Sequence, residues 1–283
     1  MTYHPAISPG RTAVITGGAG GIGLAAAQRF AAAGMNVVIA DLDPAALDKA
    51  AAAIGDVTPD AKVLAVACDV SRMDEVQALK DRAYATFGGV TVLMNNAGIQ
   101  PAAGPFDHYD VWQRVLGVNL WGVINGVQAF SAAMIAEGTD GMIVNTGSKQ
   151  GITCPPGNTV YNVSKAGVKV LTEALQHTLR NTPGCKVSAH LLVPGWTHTK
   201  LTEKTPGEPK PEGAWTADQV VDVMLERTVR GDFYIICPDN DVDWETDRKR
   251  IQWAAGDITE NRAPLSRWHP DYADAFKAFL AGS

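Results

Sequence analysis

The sequence predicts an α/β protein: a single domain on one doubly wound, seven-stranded parallel sheet flanked by helices, followed by a C-terminal extension. Two observations carry this. Short apolar β-type runs alternate with longer amphipathic stretches, which calls for right-handed βαβ crossovers and a sheet covered on both faces. A glycine-rich string lies between the first such run and the first helix. The composition agrees, with 283 residues of which 46% are hydrophobic and 19% charged, an ordinary globular balance.

The elements follow in order. Ala13 to Thr16 is a short strand, and Gly21 to Ala33, rich in Ala and free of Pro, is a helix that Gly34 ends. Asn36 to Ala40 is the second strand, and Pro44 to Ile54 a helix with Pro near its start and Gly55 beyond its end. Val63 to Ala67 is the third strand and Met73 to Phe87 the next helix. Val90 to Met94 and Met142 to Asn145 are the fourth and fifth strands, with a long helix from Tyr109 to Ala136 between them. A helix from Val160 to Leu179 precedes the sixth strand, Lys186 to Val193, and Phe233 to Ile236 is the seventh.

The predicted catalytic domain therefore spans residues 10–237. Within it, residues 194–212 carry Pro194, Pro206, Pro209 and Pro211 and read as a lid over the site. Residues 238–283 form the extension, expected to pack on the body or on a neighbouring subunit because it carries Trp244, Trp253 and Trp268, large rings that gain from burial. Asp241 to Ala255 reads as its charged amphipathic helix.

Several functions are disfavoured at this level. A net charge of −6 and a pI near 5.5 leave no basic footprint for nucleic acid or an anionic membrane. No run of about 18 apolar residues suggests a transmembrane helix, and Met1 to Gly10 resembles no secretory signal, so a cytoplasmic protein is expected. Cys68, Cys154, Cys185 and Cys237 are widely spaced reduced thiols, and no ligand cluster calls for a metal.

The chemistry starts at Thr16-Gly17-Gly18-Ala19-Gly20-Gly21-Ile22-Gly23. Glycines between a strand and a helix allow a tight turn and let a pyrophosphate approach backbone N–H groups at the helix N-terminus. Positions 18, 20 and 23 fit one dinucleotide spacing and 17, 21 and 23 a wider one; spacing alone leaves both open. Asp41 ends the second strand, 18 residues beyond Gly23, where a carboxylate holds the ribose hydroxyls and repels a 2′-phosphate. The alternative for Asp41 is a plain surface carboxylate at a strand end.

Here the chain resembles the short-chain dehydrogenase/reductase family, NAD(P)-binding oxidoreductases of Rossmann fold, over residues 10 to 237. The resemblance selects the glycines at 17, 21 and 23 as the cofactor motif, with Ile22 beside them. It places Asp69 and Val70 of Cys68-Asp69-Val70 against adenine, and it matches Asn95-Asn96-Ala97-Gly98 to the family's motif after the fourth strand. Pro194-Gly195-x-x-x-Thr199, with Thr197 inside it, looks like the loop on the nicotinamide side. Asn119, Ser148, Tyr161 and Lys165 fall where the family's catalytic tetrad falls, and the resemblance gives Asn119 a water that links Lys165 to solvent. Gly147 stands where many members have a second serine, which leaves the proposed catalytic hydroxyl of Ser148 in place.

The tetrad also has a physical reading. Tyr161 and Lys165 are four residues apart and share one helix face. A free tyrosine titrates near ~10, and a neighbouring ammonium together with an oxidised nicotinamide favours the phenolate, which brings the group into range for proton exchange with an alcohol or carbonyl oxygen. Ser148 can hydrogen-bond the same oxygen. Lys149 and Gln150 read first as ordinary loop residues and second as a border of the substrate pocket. His198 reads as a solvent or lid residue, since Tyr161 already supplies the proton.

The expected activity is NAD-dependent hydride transfer between the cofactor and a secondary alcohol or ketone, with an apolar or aromatic substrate suggested by the tryptophans. An NADPH-dependent carbonyl reductase and a non-catalytic dinucleotide-binding sensor or scaffold are the alternatives. An epimerase or dehydratase is disfavoured by glycine spacing. By resemblance the chain assembles as a homotetramer or homodimer, with helices 109–136 and 160–179 at the interface through residues such as Gly117, Gly122, Gly126, Ala166 and Val170.

Overall fold

The computed structural model describes residues 2–203, 205 and 207–282. Lys204 and Pro206 of the expected lid, and Ser283 at the end of the extension, lie outside the described residues. Strands β1 (Thr12–Thr16), β2 (Asn36–Asp41), β3 (Val63–Ala67), β4 (Val92–Asn95), β5 (Gly141–Thr146), β6 (Val187–Val193) and β7 (Tyr234–Ile236) form one sheet. Their order is β3-β2-β1-β4-β5-β6-β7, and every neighbouring pair is parallel. The central strands are buried on both faces, which is why they read as continuous apolar runs and not as alternating ones.

Helices α1 (Gly21–Ala32), α2 (Pro44–Val57) and α8 (Ala217–Val229) cover one face, with Phe30, Leu47, Val220 and Met224 in a core that includes Ile15, Val37 and Met94. Helices α3 (Met73–Phe87), α5 (Gly122–Ala136) and α7 (Thr159–Arg180) cover the other, where Leu79, Phe130 and Leu179 pack with Val14, Leu93 and Ile143. The strand order reverses direction between β1 and β4. In such sheets the crevice beyond the strand C-termini at this point is where ligands bind.

Several elements differ from the sequence expectation. The stretch from Tyr109 to Ala136 is not one uniform helix. Helix α4 (Tyr109–Leu116) widens into a π-helical turn at Gly117–Trp121 before α5 begins. Its 18-residue apolar window has mean hydropathy 1.2, enough by length and composition to cross a membrane, and half of that window is buried inside the protein. Gly122 and Gly126, expected at a subunit interface, face inward: a Cβ would lie 2.7 Å from Val70 Cγ2 at the first and 2.0 Å from Asn95 Oδ1 at the second. These glycines let α5 lie close to the sheet side of the protein.

Helix α8 was not foreseen, although Thr216 and Gln219 form a capping box at its start. The short helix α6 (Gln150–Thr153) was also missed. In the extension, α9 (Trp244–Thr259) starts later than expected because the Asp243 carboxylate accepts from Thr246 N at 2.8 Å and sets the N-cap there. Helix α10 (Ala273–Ala281) folds back on it. Trp253, 6% exposed, holds the pair together between Phe276 and Phe279, with Arg262 stacked 4.1 Å over its ring. Trp244 and Trp268 stay 49% and 39% exposed, so one tryptophan of the three, not all, supplies the buried anchor.

Candidate active site

A cavity of about 820 Å³ opens at the β1–β4 switch point. Its floor is the glycine turn. Gly17 takes φ 64° and Gly21 φ 52°, both in the left-handed region that favours glycine. A Cβ on Gly17 would sit 2.8 Å from Ala97 Cα, and one on Gly23 would sit 2.1 Å from Gly17 O. Gly20 has extended backbone with open space around it. The structure thus separates the two spacings left open by sequence: 17, 21 and 23 are constrained, and 20 is not. Gly18 is tight as well, since a Cβ there would meet Ile39 at 2.9 Å. Helix α1 starts with no side-chain cap, which leaves its first N–H groups without side-chain partners beside the cavity.

Asp41 lines the same cavity. Its carboxylate accepts from Ala19 N at 3.2 Å and Leu42 N at 2.8 Å, which fixes its place beside the turn. Asp69 and Val70 line the wall beyond it, with Asp69 Oδ1 accepting from Ser71 N and Ser71 Oγ. Asn96, Ala97 and Gly98 follow β4 into the cavity. Thr16 holds this segment, its Oγ1 accepting from Asn96 N at 3.0 Å and Ala97 N at 3.2 Å. Pro194, Gly195, Thr197 and Thr199 line the opposite side. A Cβ on Gly21 would lie 3.0 Å from Thr199 Cγ2, so the loop after β6 reaches across to the start of α1.

Ser148, Tyr161 and Lys165 meet at the inner end of the cavity. Asn158 caps α7 by accepting from Tyr161 N at 3.3 Å, which places Tyr161 and Lys165 one turn apart on the inward face. Tyr161 is 6% exposed and Lys165 4%. The Ser148 side chain acts on the Tyr161 hydroxyl. Burial pushes the Tyr161 phenol up to about 12, with Ser148 acting the other way. Burial also holds the Lys165 ammonium down to about 8. Lys165 Nζ donates to Thr146 O at 2.8 Å and lies 5.7 Å from the centre of the Tyr161 ring. Within the protein alone, desolvation outweighs the lowering expected of Tyr161 from its lysine.

Asn119 and Gly23 are not on the cavity wall; they stand behind it. Asn119 is fully buried in the π-turn. Its Oδ1 accepts from Ile99 N and its Nδ2 donates to Ile99 O, each at 2.8 Å, and the same Nδ2 reaches Ser164 Oγ at 3.3 Å. The wider turn seats this side chain between the Ile99 backbone and α7, a use of π geometry that recurs at functional sites. Ser164 was missed in the sequence, although its position three residues after Tyr161 places it on the same helix face. Lys149 is more than a loop residue: it lines the cavity, but its ammonium turns to Asp239 and Asp247. His198 points to Glu203, 3.9 Å away, and not to the tetrad. Trp196, 42% exposed, is an aromatic wall of the cavity.

The model of the short-chain dehydrogenase family matches residues 11–209. The chain belongs to the short-chain dehydrogenase family. It is 37% identical to 3beta-hydroxysteroid dehydrogenase 2 of Eggerthella lenta over 203 residues, 70% of this chain and 75% of that one. It is 38% identical to cis-4-hydroxycyclohexanecarboxylate dehydrogenase of Sinomonas cyclohexanicum over 200 residues, 70% and 78% of the two chains. Among solved structures, a short-chain dehydrogenase/reductase from Burkholderia phymatum in complex with NAD superposes with a TM-score of 0.82 at 31% identity, covering 93% of this chain and 98% of that one. This short-chain dehydrogenase is therefore an NAD(P)-dependent oxidoreductase of Rossmann fold that acts on alcohol or ketone groups.

Proposed function

We propose that this short-chain dehydrogenase uses NAD in preference to NADP and interconverts a secondary alcohol carried on an alicyclic ring with its ketone. The observation that carries the cofactor reading is Asp41, whose carboxylate is fixed against Ala19 N on the cavity wall. A 2′-phosphate would meet that charge, and no Lys or Arg stands in residues 16–23 or beside Asp41 to offset it. The cradle fits a dinucleotide: Gly17, Gly21 and Ile22 face the pyrophosphate path, Asp69 and Val70 the adenine end, and Asn96 to Gly98 with Pro194 to Thr199 the nicotinamide end.

The chemistry supplied by the dinucleotide, when bound, is transfer of a hydride to or from the substrate carbon. Tyr161 gives or takes the proton at the substrate oxygen, and Ser148 donates a hydrogen bond to the same oxygen. Lys165 holds the ribose side and biases the Tyr161 phenol. Asn119 fixes the Ile99 carbonyl, so any water relay from Lys165 would start from a backbone oxygen that Asn119 has set in place. Ile99, Trp196 and Leu201 line this end, an apolar lining that suits a hydrocarbon ring. The names of the Eggerthella and Sinomonas relatives, each describing a hydroxyl on an alicyclic ring, support that substrate class.

A screen of cyclic and acyclic secondary alcohols with NAD and with NADP, followed at the absorbance of the reduced nicotinamide, tests the reading. Cyclic alcohols with NAD should give the highest kcat/KM. Turnover confined to NADP would overturn the cofactor assignment. We also propose a homotetramer or homodimer, because Trp121, Val163 and Val170 stay 56%, 44% and 61% exposed on the outer sides of the π-turn and α7. Light scattering at micromolar concentration should show the assembly, and a monomer would refute it.

A further inference from the structure

The segment that follows β7 does more than leave the sheet. It hydrogen-bonds to Trp196 on one side of the segment expected to be a lid and to Glu212 and Gly213 on the other. At the near end, Asp239 Oδ2 accepts from Trp196 N at 3.0 Å. The approach is possible because residue 195 is glycine: a Cβ there would lie 2.6 Å from Asp239 Oδ2 and 3.0 Å from Cys237 O. At the far end, Asn240 N donates to Gly213 O at 3.0 Å and Asn240 Nδ2 donates to Glu212 O at 2.6 Å. The lid is closed on itself at its neck, where Trp215 N donates to Trp196 O and His198 N to Trp215 O.

The same Asp239 oxygen meets Lys149 Nζ at 3.3 Å, and Lys149 Nζ lies 2.5 Å from Asp247 Oδ2 on α9. The Asp239 and Asp247 side chains are each 6% exposed and that of Lys149 is 19% exposed. Arg250 acts on Asp247 from the same helix, and Arg267 from the segment beyond it. Lys149 directly follows Ser148, whose Oγ accepts from Gln150 N at 3.2 Å. One buried carboxylate therefore holds the segment that carries Ser148 and the amide at the base of the lid. A buried ion pair is a poor source of stability because desolvation offsets the attraction, and registry is its best-attested use.

We propose that Asp239 is a positioning residue of the active site: with Lys149 and Asp247 it braces the Ser148 segment against the base of the lid, so that the C-terminal extension sets the geometry around the reacting oxygen. This rests on the roles proposed above for Ser148 and Tyr161. It explains why a lysine beside the catalytic serine is directed away from substrate, and why the chain keeps carboxylates buried between the sheet and its extension.

The test compares Asp239→Asn, Lys149→Met and Lys149→Arg in the full chain, with Tyr161→Phe alongside. Asp239→Asn and Lys149→Met should each lower kcat at least tenfold while KM for NAD stays within twofold. Lys149→Arg, which restores the charge, should recover kcat to within threefold of the parent. The double variant should fall no further than either single one, since both break the same brace. Hydrogen–deuterium exchange of the Trp196 amide should quicken severalfold in Lys149→Met, a readout independent of turnover. Folded Asp239→Asn with kcat within twofold of the parent, or equal losses in Lys149→Arg and Lys149→Met, would overturn the brace. If Asp239→Asn does not fold, the Lys149 pair and the exchange rate decide the matter. Full activity in Tyr161→Phe would instead sink the reading of the site on which the brace depends, whereas a dead Tyr161→Phe beside a normal Asp239→Asn would sink the brace alone.

Discussion

The two ends of the cavity are made in different ways. The end around the glycine turn is backbone: a turn at 17–23 that needs glycine at 17, 21 and 23, helix N–H groups, and the amides of Asn96 and Ala97 pinned by one threonine. The other end, around Ser148, leans on side chains: Lys149 to Asp239 across 90 positions, Lys149 to Asp247, and Asp239 to the Trp196 amide. Backbone construction fixes residue types at set spacings. Side-chain construction fixes only partners, and these can come from anywhere in the chain. On the function proposed above, the first end holds the dinucleotide and the second meets the substrate.

The contrast can be tested from its strongest point outward. Tyr161→Phe, where the two ends meet, should lose turnover by about 10²–10⁴-fold, the usual worth of general acid–base catalysis, with NAD affinity retained in calorimetry. Retained kcat would show that another group moves the proton. At the backbone end, Gly23→Ala must push its methyl against Gly17 O, and overpacking of that kind costs roughly 1–3 kcal/mol or more, so NAD binding and melting temperature should both fall. Gly20→Ala, with open space around the position, should leave both close to the parent value. Equal behaviour of the two alanines would remove the distinction between constrained and free glycines.

A smaller effect is expected at Asp41. Asp41→Ala should narrow the kcat/KM ratio of NAD over NADP by about tenfold, the equivalent of ~1.4 kcal/mol, and an unchanged ratio would show that the preference lies elsewhere. The smallest effect is remote from the cavity. Burial lowers the His4 imidazole to about 4, and the ring packs edge-on to His190 with Ser188 between their nitrogens. A base whose folded pKa is depressed binds fewer protons in the native state, so stability present above pH 6.5 is lost as pH falls towards 4. The loss should be on the order of 1 kcal/mol, less than the full shift because the ring is partly solvated. His4→Asn should flatten the melting temperature between pH 6.5 and 4 without changing activity at neutral pH.

The same contrast explains what could be read in advance. The strands were legible because parallel strands buried on both faces are short apolar runs, and the turn because Gly17, Gly21 and Gly23 are required by steric contact. Asp41 stood out because it ends a recognisable strand after the glycine turn, whereas Asp69, Asn96 to Gly98, Ser148, Tyr161, Lys165 and Pro194 to Thr199 stood out through the resemblance to the family's motifs. Less was visible in the π-turn around Asn119, since its apolar spacing hardly differs from that of an α-helix. The role of Lys149 was invisible, because nothing near position 149 announces a carboxylate at 239. The inward use of Gly122 and Gly126 was misread for a related reason: a small residue permits close approach on either side of a helix, and only tertiary structure says which.

The place of β1 in the sheet has a consequence for how the chain is made. Its first neighbour, β2, follows within a few tens of residues, but its other edge waits for β4, with Ala13 opposite Val92. While the ribosome lengthens the chain between these points, a strand that ends buried on both faces carries an open row of N–H and C=O groups. Pairing across that distance closes a long loop, which slows assembly and lengthens the exposure. Yields from recombinant expression should therefore respond to temperature and chaperone supply more than to changes at the lid, because the vulnerable edge is present before the lid has been synthesised.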